Sequence, residues 1–77
     1  MITVEELRAL LKGTILEDCY ISEADGKIYL GYDFPENEDG DSWDEYCDVQ
    51  DALHQIGYEL IESYSEHDHI SGIVRKL

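Results

Sequence analysis

The sequence predicts a small α+β domain in the order helix, hairpin, helix, hairpin, with a small, mainly antiparallel sheet and two helices packed on one face. Three observations carry this reading. Two stretches with helical apolar spacing each open on a Ser/Thr-x-x-Glu capping box, Thr3 with Glu6 and Ser42 with Glu45. An Asp-Gly pair, Asp25-Gly26, separates two β-rich runs. A glycine, Gly57, stands between the second helical stretch and two further β-rich runs.

The first helix is expected over Val4 to Lys12, with Thr3 as N-cap and Gly13 ending it. Val4, Leu7, Leu10 and Leu11 form its apolar stripe, and Glu5, Arg8 and Lys12 lie opposite, so it packs through one face. Thr14 to Ser22 and Lys27 to Phe34 then read as two strands of a tight hairpin. Placing Asp25 and Gly26 at the turn centre sets Ile21 against Leu30 and Cys19 against Tyr32. That register puts Ile15, Cys19, Ile21, Leu30, Tyr32 and Phe34 on the core side.

A polar loop, Pro35 to Asp41, leads into a second helix over Trp43 to Ile56. Its apolar positions Tyr46, Val49, Leu53 and Ile56 fall within roughly 80 degrees of one another at about 100 degrees per residue. Asp44, Asp48 and Asp51 gather on the opposite side. The apolar spacing also continues through Leu60, Ile61 and Tyr64, which would suit one longer helix. A break at Gly57 is preferred, because glycine suits the left-handed position after a helix and the remaining chain pairs naturally as Tyr58 to Tyr64 with Ile70 to Leu77. With its Gly-Tyr-Glu-Leu-Ile start and Arg-Lys-Leu close, the stretch from Gly57 to Leu77 resembles small bacterial domains in which a helix ends at Gly-aromatic-Glu-Leu-Val. The resemblance covers those 21 residues, implies the break at Gly57 and implies no function.

Seventy-seven residues make one domain, 1–77, and a chain of this size buries only about 60% of its unfolded surface. Hydrophobic residues at 43%, with six Tyr, are more than an acidic disordered tail carries, so a core is expected. Nineteen acidic residues against five Lys and Arg give a net charge of -14. No Lys or Arg occurs between Lys27 and Arg75, a stretch that holds thirteen acidic residues. Such a surface favours basic partners and disfavours direct binding to nucleic acid or an anionic membrane. The start of the chain lacks a signal-peptide pattern and no apolar run approaches the roughly 20 residues of a membrane span, which points to a cytoplasmic protein. Two cysteines are too few for a disulfide framework and are expected to be reduced.

Metal chemistry fits the spacing poorly, and no cofactor is expected. With Gly40 at the sixth position of a calcium loop, Pro35 would stand first and Tyr46 twelfth, where acidic ligands are required. Cys19 and Cys47 lie 28 residues apart, far from zinc-ligand pairing, and His67 and His69 read as turn histidines. No glycine-flanked nucleophile or phosphate loop is present, so an enzyme is not expected.

What remains is the acidic run Glu36, Glu38, Asp39, Asp41, Asp44, Glu45, Asp48 and Asp51. Like charges at helical spacing cost a few tenths of a kcal/mol each, and no neighbouring cation offsets them. The expected function is an acidic binding protein that mimics nucleic acid and inhibits a nucleic-acid-handling protein by occupying its basic groove. Phage proteins that block restriction or CRISPR machinery, and immunity proteins against nuclease toxins, are similar in charge and size, though not in motif. The alternative is a small structural or adaptor subunit with apolar contacts, possible as a homodimer through a hairpin edge.

Overall fold

A computed structural model of the chain describes residues 2–35, 43–66 and 68–77. The elements are α1 (Val4–Leu11), β1 (Tyr20–Ala24), β2 (Lys27–Asp33), α2 (Trp43–Gln55), β3 (Tyr58–Ser65) and β4 (His69–Lys76), which is the expected order. The four strands form one antiparallel sheet in the order β1-β2-β4-β3. Both helices lie on one face of it.

Local chemistry sets each boundary. The Thr3 hydroxyl accepts the Glu6 amide proton at 3.1 Å, and Lys12 and Gly13 close α1, Gly13 at a φ of 85°. Asp25 and Gly26 both take positive φ, 54° and 74°, the turn whose twist matches a two-residue hairpin. Ile21 pairs with Leu30 as the register required. Gly57, at a φ of 87°, ends α2, and the chain turns directly into β3.

The first strand differs from expectation. Residues 14–18 form consecutive turns, and β1 starts only at Tyr20 and runs on to Ala24. Thr14 is the cause: its hydroxyl donates to the Leu11 carbonyl at 2.6 Å and accepts the Leu16 amide proton at 3.1 Å. Glu17 and Cys19 then donate to the carbonyls of Thr14 and Leu16. A β-branched residue that reads as strand material thus serves as a local turn former. The consequence falls on Ile15, expected in the core but 49% exposed, while its neighbour Leu16 is fully buried.

One core cluster joins the layers. Leu7 and Leu11 of α1, Val49, Ala52 and Leu53 of α2, and Ile21, Ile28, Leu30, Leu60, Ile70 and Val74 of the sheet are all buried, with Leu16, Cys19 and Phe34. Tyr32 is half-buried against this cluster. Ile28, Val74 and Leu60 make one row across three strands, so the buried positions alternate as a one-sided sheet demands.

The β3 edge is irregular by design of its residues. Glu62 and Ser63 together oppose Gly72, giving a bulge, and Glu62 takes a φ of 50°. A Cβ on Gly72 would stand 2.7 Å from Leu60 Cγ and 2.9 Å from the Ile61 carbonyl oxygen, so only glycine fits opposite the bulge. Farther along the same edge, Gln50 reaches down from α2. Its amide donates to the Leu60 carbonyl at 2.9 Å and accepts the Leu60 amide proton at 3.0 Å, filling the place of a further strand.

Candidate functional site

The outer face of α2 is built by the burial of its inner one. Val49, Ala52 and Leu53 are drawn into the core, which turns Asp44, Asp48 and Asp51 outward. All three are exposed. At spacings of three and four residues such side chains lie about 5 to 6 Å apart. Among the described residues α2 carries no Lys or Arg, and its only basic group is His54 in the last turn.

Glu45 stands apart from these three. It lies one turn before Val49 and is half-buried, and its Oε2 is shielded from solvent with no hydrogen-bond partner among the described residues. Glu36, Glu38, Asp39 and Asp41, the rest of the acidic run, lie outside the described residues, as does Ser42 of the second capping box. The structure therefore brings together Asp44, Asp48 and Asp51 and separates Glu45 from them.

Asp48 also lines a shallow hollow of about 400 Å³ with Ala52, Gln55 and the turn residues Gly13, Thr14 and Ile15. The outward Ile15 thereby supplies an apolar contact beside a carboxylate. Sequence reading missed this, because it assigned Ile15 to the core.

The second surface is the side of the sheet that the helices leave open. Ladder pairing defines its rows: Tyr20, Gly31, Ser71 and Tyr64; then Ser22, Tyr29, Ile73 and Ile61; then Ala24 with Lys27 and Arg75 with Glu59; with Asp33 against His69 at the end. Tyr20 is 71% and Tyr64 61% exposed, and Tyr29 is exposed as well. Its charges are nearly all paired across strands. Arg75 donates to Glu59 at 2.6 Å, and the His69 ring bonds Asp33. The same ring lies 3.2 Å from where a Gly31 Cβ would stand, so the glycine seats it. His69 is therefore a strand residue with a carboxylate partner, not a free turn histidine. The signal for this face was present in the sequence: Tyr20 and Tyr29 alternate with Ile21 and Ile28, and Ile61, Tyr64 and Ile73 occupy off-core positions of the second hairpin.

Cys19 is buried, Cys47 half-buried, and the two are not linked. Burial pushes the Cys19 thiol above its ordinary range, outweighing the nearby Arg8 guanidinium. Arg8 also donates to the Cys19 carbonyl at 3.2 Å and so ties α1 to the start of β1. Among the described residues no three His, Cys, Asp or Glu side chains gather as a metal site would require, and no helix is long and apolar enough to cross a membrane.

Compared with known protein families, curated proteins and solved structures, the chain matches none.

Proposed function

We propose that this chain is an acidic, cytoplasmic binding protein that inhibits a nucleic-acid-handling protein by occupying its basic groove, in the manner of anti-restriction, anti-CRISPR or nuclease-immunity proteins. The observation that carries the reading is the outer face of α2, where Asp44, Asp48 and Asp51 are exposed together with no cation on the helix but His54. Carboxylates about 5 to 6 Å apart can meet Lys and Arg side chains that otherwise track phosphates. Glu36, Glu38, Asp39 and Asp41 precede the helix in sequence and extend the negative run. No catalytic step, metal or cofactor enters this reading.

A second reading, a structural or adaptor subunit with apolar contacts, is favoured by the exposed Tyr20, Tyr29 and Tyr64 of the open sheet face. Capture from cell extract on the immobilised chain distinguishes them. A groove-binding partner is retained at low salt, released as ionic strength rises, and displaced by added duplex DNA, because charge pairs are screened and the DNA competes for the same groove. Retention that ignores both salt and DNA would favour the adaptor.

A further inference from the structure

At the end of the sheet where β2 and β3 begin and β4 ends lies a hollow of about 340 Å³ that no residue of α2 lines. Ile2, Tyr58, Ile61 and Ile73 supply its apolar lining, and all four are only half-buried. A concave apolar site of this size is what small-molecule ligands occupy, provided a few polar groups fix their orientation.

The polar groups here are cations, the reverse of the rest of the molecule. The chain has five Lys and Arg against nineteen acidic residues, and three of the five, Lys27, Arg75 and Lys76, line this one hollow. Glu59 answers Arg75 at 2.6 Å, whereas among the described residues neither Lys27 nor Lys76 forms an ion pair. Among the described residues that line the hollow, Glu62 is the one carboxylate. With Glu59 set against Arg75 and Glu62 against one lysine, a single positive charge is left over. In a chain so rich in carboxylates, two unanswered lysines beside half-exposed apolar side chains select an anion.

We infer that this hollow binds a small amphiphilic monoanion, an aliphatic chain ending in a carboxylate. The chain lies against Ile2, Tyr58, Ile61 and Ile73, and the head is turned toward Lys27 and Lys76. Both lysines are exposed, so their stems cover apolar surface while the ammonium groups stay at the wet mouth of the site. Size bounds the ligand: at ~30 Å³ for each water-sized group, the hollow holds about eleven such groups, which suits a ligand of about ten non-hydrogen atoms. The lysines repel a cation, a neutral ligand leaves their charge unmatched, and a dianion exceeds the one charge left over.

The net charge of -14 opposes this binding only weakly. At about 0.15 M ionic strength the Debye length is about 8 Å, so the exposed carboxylates beyond that distance are screened while the lysines act at contact.

Titration of the nitrogen-15-labelled full chain with octanoate at about 0.15 M salt and neutral pH reads the site directly. Amide shifts are expected at Lys27, Ile61, Ile73 and Lys76. Octyltrimethylammonium carries the same chain with the opposite charge, and the acidic surface favours it everywhere else. Octanoate should nevertheless bind at least about tenfold more tightly at these amides. Octanol should bind about three- to tenfold more weakly than octanoate, the range for exposed charge pairs. Replacing Lys27 and Lys76 together by Gln should bring octanoate to the level of octanol and leave octanol within about twofold. The spectrum of the variant shows that it folds, and the three probes on the unmodified chain decide the question without it. No shift up to about 10 mM octanoate, or shifts centred on α2 or β1, overturns the inference. Equal binding of octanol, preference for the ammonium, or a double variant that still prefers octanoate overturns it as well. Because no α2 residue lines the hollow, failure here leaves the groove-binding reading standing, and the reverse.

Discussion

The outer face of α2 and the open face of the sheet are both products of the same core, yet they face the solvent with different electrostatics. On the helix, burial of Val49, Ala52 and Leu53 leaves three carboxylates outward without a Lys or Arg on the helix. On the sheet, burial of Ile21, Ile28, Leu30, Ile70 and Val74 leaves tyrosines outward, and the charges that accompany them are matched across neighbouring strands. A uniformly acidic composition therefore does not make a uniformly acidic surface. The net charge is concentrated where no neighbouring cation answers it, so the two faces offer different physics to whatever meets them.

The largest effect should come from reversing charge on α2. Replacing Asp44, Asp48 and Asp51 together by Lys should slow capture of a basic partner by roughly 10- to 1,000-fold, the range over which electrostatic steering acts. Folding should change by no more than about 1 kcal/mol, since relieved like-charge repulsion offsets the lost helix-dipole interaction of Asp44. The same variant removes nearly half of the net negative charge. Measured association rates and thermal melts test the two expectations. Unchanged capture at low salt would reduce the α2 face to solvated surface and leave the sheet face as the working contact.

The two cysteines report on the two regions separately. Cys47 lies on α2 beside the carboxylates and is half-buried, whereas Cys19 is buried where β1 begins. Cys47 should react with a thiol reagent at least about tenfold faster, because thiolate character and access govern the rate. Partner capture should slow it. The raised Cys19 pKa also fixes a sign for stability. The folded state holds that proton more tightly than the unfolded chain, so its contribution is complete below the ordinary thiol range and is lost as pH climbs through the folded value. Denaturant midpoints should fall over that alkaline interval, and a rise there would contradict the burial of Cys19.

Gln50 joins the regions, since it projects from α2 onto the edge of β3. Replacing it by Leu should cost about 1–2 kcal/mol, because the Leu60 amide and carbonyl lose their partner. The freed edge should also associate. Urea midpoints and light scattering of the variant check both, and a variant that is neither weakened nor more associated would mean that Gln50 does not guard the edge.

Much of this fold was legible because its signals were local. The Thr3 box, the Asp25-Gly26 turn with its Ile21 to Leu30 register, and the break at Gly57 each depend on a few adjacent residues. The α2 carboxylates were legible for the same reason, since helical spacing alone separates Asp44, Asp48 and Asp51 from Val49 and Leu53. The start of β1 was not, because Thr14 bonding to Leu11 and Leu16 competes with a strand that composition favours equally well. Glu45 was grouped with the acidic run by type, although its place one turn before Val49 turns it inward. The open sheet face escaped because attention to the buried alternation leaves the other half of each strand unread.

The smallest expected effect concerns the bulge that bends the β3 edge. Glu62 holds a φ of 50°, where a side chain costs roughly 1 kcal/mol and glycine costs almost none. Against this, glycine adds freedom to the unfolded chain worth about 0.4–1 kcal/mol. The two nearly cancel, so Glu62→Gly should be neutral or stabilising by no more than about 0.5 kcal/mol, whereas an ordinary position in a strand interior would lose by the same exchange. Glu62→Asn, which tolerates this conformation while keeping a Cβ, should match it, and Glu62→Gln isolates the charge alone. Gln should move stability only as far as salt does, because it leaves the backbone cost in place. Urea midpoints in low and high salt distinguish these cases. A clear loss with glycine would mean that the Glu62 side chain itself supports the edge. Equal gains for Gly and Gln would mean that charge crowding, and not backbone geometry, is what this position contributes, which would extend the unanswered negative surface of α2 onto the border of the sheet.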